Sequence, residues 1–76
     1  MATVGVKELK SIKPGTIEAF HCDGAKMFAV AAAISTLKRR GMPEGVANYE
    51  HKKFFEKNII VVRALREGDT PIFHNK

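Results

Sequence analysis

The sequence predicts an α+β fold in which one central helix packs on a small, mainly antiparallel sheet of three strands. Three features carry that expectation. Between Asp23 and Gly41, apolar side chains at Met27, Val30, Ala31, Ile34 and Leu37 recur at the three- and four-residue spacing of a single helical face. From Asn58 to Leu65, the succession Ile59, Ile60, Val61 and Val62 is the β-branched run of a buried strand. Pro14-Gly15 and Gly68-Asp69 mark turns, because Pro presets the backbone of one turn position and Gly accepts positive φ at another.

Taken in order, Val4 to Ile12 has apolar residues at Val4, Val6, Leu9 and Ile12, which fits a short strand leading into a turn of helix. After the Pro14-Gly15 turn, Thr16 to Cys22 is β-branched and aromatic enough for a strand. Ile17, Ala19 and His21 oppose Glu18, Phe20 and Cys22, so neither face is purely apolar. Asp23 can cap the helix by accepting from first-turn amides, and Gly41 can close it in the left-handed conformation that a side chain resists. Ala29, Ala31, Ala32 and Ala33 leave little bulk, so the helix can lie close to the sheet. Met42 to Gly45 is a loop.

Val46 to Phe54 reads two ways. As a strand it pairs with the next through a turn at Phe55 to Asn58, the favoured hairpin; as a helix it starts at Pro43 and ends at Asn58. With Val4 to Ile12 also helical, the second reading gives a winged-helix-like alternative with additional helices. The run after Asn58 is apolar on both faces, which places it centrally in the sheet or under a second copy of the chain. Arg66 to Thr70 turns the chain, and Pro71 to Phe73 can follow a sheet edge, where proline is tolerated.

With 76 residues there is room for a single domain, whose core is expected from about Thr3 to Phe73, with a polar tail from His74 to Lys76. Hydrophobic residues at 45% and charged residues at 28% favour folding over disorder. No apolar run approaches the ~20 residues of a membrane span, and Met1 to Lys7 lacks a leader-like pattern, so the expectation is a cytoplasmic protein with no membrane partner. The single cysteine, Cys22, forms no internal disulfide, which agrees with a reducing compartment.

Catalytic chemistry finds little footing. Cys22 adjoins His21, but neighbours in a strand point to opposite faces and do not make a nucleophile–base pair. His21, Cys22, His51 and His74 are scattered without the paired spacing of a zinc site. Glycine-rich phosphate loops and serine elbows are missing, and Glu44 and Glu50 carry no mark that separates them from ordinary surface glutamates. No catalytic residue, metal or cofactor is expected.

Charge is more informative. Thirteen Lys and Arg against eight Asp and Glu give +5, a balance that favours acidic partners such as phosphate backbones. Lys38, Arg39 and Arg40 crowd the helix end, and Lys52 and Lys53 lie in the predicted hairpin. Joined by Arg63 or Arg66, these cations would track phosphates if they shared a face. The helix macrodipole and the protection of an edge strand explain the same residues without a ligand. Among the aromatics, Tyr49 is the candidate for an exposed contact, at least one of Phe54 and Phe55 is expected in the core, and Phe28 lies beside the helical stripe, at the rim of the core or in a partner-binding patch.

This make-up, a short chain with one Ala-rich helix, a basic helix end and a hairpin-like tail, resembles the small accessory proteins of bacteriophages and other mobile elements. The resemblance implies one of two partners, nucleic acid or a host enzyme such as a polymerase or nuclease, and transfers no site residues. The leading expectation is a non-enzymatic nucleic-acid-binding protein. The alternative is a protein-interaction module that modulates a larger enzyme. A twofold dimer is compatible with both.

Overall fold

The computed structural model describes residues 5–73 of the chain. Thr3, Val4 and the predicted tail from His74 therefore lie outside the described residues. The order of elements is α1 (Val6–Lys10), β1 (Ile17–His21), α2 (Gly24–Arg40), β2 (Asn48–Phe54), a 3₁₀ turn (Phe55–Lys57) and β3 (Ile59–Leu65). The strands form one sheet in the order β1-β3-β2, and β3 is antiparallel to both neighbours. This is the predicted α+β architecture, in its hairpin rather than its winged-helix version.

Local chemistry sets the boundaries of α2. The Asp23 carboxylate accepts from the Lys26 amide at 3.0 Å, and at the other end the Gly41 amide donates to the Leu37 carbonyl at 2.8 Å. Gly41 has φ +116° and ψ 137°, a positive φ that side chains resist but an extended ψ in place of the expected left-handed turn. The buried stripe is Met27, Val30, Ala33, Ile34 and Leu37; Ala33 takes the inward position predicted for Ala31, which is only half-buried. Helical spacing admits either alanine, and the tilt of the helix on the sheet decides between them.

In the first segment, expected as a short strand leading into a turn of helix, the described residues form the helix alone, α1. Glu8 reaches back to accept from the Gly5 amide at 2.8 Å, and Leu9 and Ile12 are carried into the core. Lys13 to Thr16 then form the predicted turn, closed by the Thr16 amide on the Lys13 carbonyl, with Gly15 at φ +83°.

The inner face of the sheet carries Ile60, Val62 and Ala64 from β3, Tyr49 from β2 and Phe20 from β1, against the stripe of α2 and Leu9 and Ile12 at the α1 end. Leu9, Met27, Val30, Leu37, Ile60 and Val62 are almost completely enclosed, each stabilising the fold by about 1.5–3 kcal/mol through removal from water. The Tyr49 hydroxyl donates to the Leu9 carbonyl at 3.2 Å, so α1 is tied to the sheet by a buried hydrogen bond.

Among the described residues, no helix covers the outer face. Part of it is crossed by the segment after β3, which is a strap rather than the edge element predicted for Pro71 to Phe73. The Glu50 carboxylate accepts from the Ile72 amide at 2.9 Å and the Phe73 amide at 2.7 Å, while the Arg63 guanidinium donates to Glu50 and to the Thr70 carbonyl, both at 3.0 Å. A buried carboxylate is tolerated here because an ion pair and main-chain donors replace its water.

Tyr49→Phe removes the bond to Leu9, whose carbonyl then keeps only the Ile12 amide at 3.1 Å. The expected loss in urea unfolding is about 1 kcal/mol, with faster hydrogen exchange concentrated in α1.

Candidate nucleic-acid interface

The path of the chain explains why distant residues meet. His21 and Phe54 both lie opposite Ile59, so β1 and β2 finish at the same end of the sheet. α2 starts there, directly after β1, and the 3₁₀ turn that follows β2 packs against its first turns. The Phe55 ring approaches within 3.5 Å of the position a side chain at Gly24 would take. Phe28 and Phe55 meet with ring centroids 6.3 Å apart at 41°, within the range of favourable aromatic pairs. Both are open to solvent, with 61% and 54% of their surface exposed. The Lys53 ammonium sits 5.1 Å from the centre of the Phe28 ring, a cation–π distance.

Strand alternation parts the lysine pair. Lys53 points to the helix side, and Lys52 points to the outer face, where its ammonium lies 5.5 Å from the Phe54 ring. The five clustered cations therefore do not line one face. Lys38, Arg39 and Arg40 are exposed on the last turn of α2, and Lys38 stands near enough to β2 to act on His51. Lys53 and Lys38 thus mark a cationic rim where β2 meets α2, around the half-buried His51, with the aromatic pair at the end where α2 starts. From Phe28 to Lys38 the helix rises roughly 15 Å.

The remaining candidates have structural partners. Arg63 is held by Glu50, and Arg66 pairs with Asp69 at 3.1 Å while lying against the Pro14-Gly15 turn. Among the described residues, no ion pair engages Lys38, Arg39, Arg40, Lys52 or Lys53. Tyr49 is not the exposed ring expected of it: it is 3% exposed, because its position on β2 faces α1 and α2, and burial raises its phenol pKa. The expectation that Phe54 or Phe55 enters the core also fails. Phe54 lies on the helix-free face and Phe55 falls in the 3₁₀ turn beyond the strand.

Cys22 and His21 do point apart. Cys22 is in the core, and burial, with Asp23 adding to it, raises its thiol pKa and holds it protonated. No group of three His, Cys, Asp or Glu that could hold a metal occurs among the described residues, and no described helix is long and apolar enough to cross a membrane.

Two features of the rim escaped the sequence reading. The Phe28–Phe55 pair depends on β2 ending beside the start of α2, which follows only from the strand order. His51, considered only as a ligand or catalytic group, is instead the half-buried centre of the rim, its pKa lowered first by burial and then by Lys53 and Lys38. Comparison of the chain with protein-family models, curated proteins and solved structures finds no match in any of the three.

Because the folded His51 has a pKa below its ordinary 6.5, the unfolded chain binds its proton more readily. Its contribution to stability is complete above about pH 6.5 and is lost as the pH falls below that value. Urea midpoints measured from pH 7.5 down to 5 should decline for the native chain, with a shallower decline for His51→Gln.

Proposed function

We propose that the protein is a non-enzymatic binding protein for single-stranded nucleic acid, acting through the rim between β2 and α2. The observation that supports this most is the exposed Phe28–Phe55 pair with the Lys53 ammonium beside it. Bases stack on exposed rings regardless of sequence, and lysine or arginine along the same path neutralises the phosphates that join them. Phe28 and Phe55 would take the bases, Lys53 the adjoining phosphate, and Lys38, Arg39 and Arg40 the strand as it leaves along the helix. His51 fits the same reading: its pKa is lowered first by burial and further by Lys53 and Lys38, and a polyanion relieves that second, cationic part.

The test is fluorescence anisotropy with a labelled oligothymidylate and a duplex of equal length. The single strand is expected to bind more tightly, with affinity falling steeply as salt rises. Phe28→Ala and Phe55→Ala should each cost about 1–3 kcal/mol of binding. Arg39→Ala with Arg40→Ala should weaken binding and flatten its salt dependence. Equal affinity for both probes together with indifference to Phe28 and Phe55 would overturn the proposal.

A further inference from the structure

On the helix-free side of the sheet, the strap covers only the end near Glu50, Arg63 and the buried Leu65. Beyond it, Ala19, Val61, Ile59 and Phe54 line a shallow apolar hollow with Lys57 at its edge. Ile17, 48% exposed, extends the surface along β1. The register confirms a common face: Ala19, Val61 and Lys52 are in line across the three strands, as are His21, Ile59 and Phe54. This surface is separate from the rim assigned to nucleic acid.

Its chemistry narrows the occupant. The centre is aliphatic, with one aromatic ring at its border, and offers no stacking platform for bases. Lys52 and Lys57 bring positive charge to its margin. Among the outward-facing strand residues the one carboxylate, Glu50, is taken by Arg63 and the strap amides. The strands of a second copy laid face to face would therefore bring no free carboxylate to either lysine. Size argues the same way: strands about 4.8 Å apart and the two uncovered rows of side chains expose roughly 200–300 Å², well short of the roughly 800 Å² each partner gives to a standard interface. A strip this narrow matches one helix, about 10 Å across.

We infer that the open strip over Ala19, Ile59, Val61 and Phe54 docks a short amphipathic helix of a partner protein whose apolar face is flanked by Asp or Glu, with Lys52 and Lys57 meeting those carboxylates. Such a contact is small and apolar at its centre, with charge at its margin setting specificity.

The experiment uses the full chain and two labelled synthetic helices of about 14 residues, roughly 20 Å long. Both carry Leu and Phe on one face; one is flanked by Glu, the other by Lys. At physiological salt the Glu-flanked helix is expected to bind at least about tenfold more tightly. Ala19→Glu, at an exposed site, and the charge reversal Lys52→Glu with Lys57→Glu should each weaken it by about tenfold, with unchanged circular dichroism. Arg39→Ala with Arg40→Ala should leave it unaltered, which separates this surface from the rim. Equal binding of the two helices, or insensitivity to Ala19→Glu, overturns the inference. Displacement of the bound helix by oligothymidylate would assign the strip to nucleic acid, and dimers in sedimentation equilibrium that dissociate on Ala19→Glu would assign it to a second copy; either result also overturns it.

Discussion

All seven residues of β3 pair with β2 and five of them, Ile59 to Arg63, also with β1, while apolar side chains lie on both faces; the other elements answer that demand. β1 and β2 occupy its edges. On one face α1 and α2 exclude water from Ile60, Val62 and Ala64, which are fully buried. On the other the described residues supply no second helical layer, and the Glu50–Arg63 pair pins the strap over one end while Ile59 and Val61 stay partly exposed. A chain of 76 residues closes one side of its central strand and leaves much of the other open.

Much of this architecture is legible in the sequence because it rests on local chemistry. Asp23 and Gly41 bound α2 as a cap and a terminator should, and the β-branched run from Ile59 forms the central strand. Val46 to Phe54 is ambiguous locally, since its alternation of Tyr49, His51 and Lys53 against Glu50, Lys52 and Phe54 is not a clean apolar pattern. Pairing with β3 decides it as a strand. The first segment goes the other way: Val6 favours a strand, but the helical turn that places Leu9 and Ile12 in the core wins.

Side-chain exposure is less legible than secondary structure, because it depends on which elements cover which face. Tyr49 and Phe54 both belong to β2, but one points toward the helices and the other toward the open face. Phe55 escapes the strand altogether and joins Phe28, 27 positions earlier in the chain, only because β2 ends where α2 begins. The cations follow the same rule. Lys52 and Lys53 are one charged pair in the sequence and belong to two surfaces in the fold, each beside a different phenylalanine.

That parting of neighbours is the claim on which the functional proposal depends, since the proposed nucleic-acid contact uses the helix side of the sheet alone. Nuclear magnetic resonance of the labelled protein, titrated with oligothymidylate and followed at the lysine side chains, tests it most directly. The account predicts large shifts at Lys53 with little change at Lys52. Shifts at Lys52 together with Val61, and a silent Lys53, would contradict it.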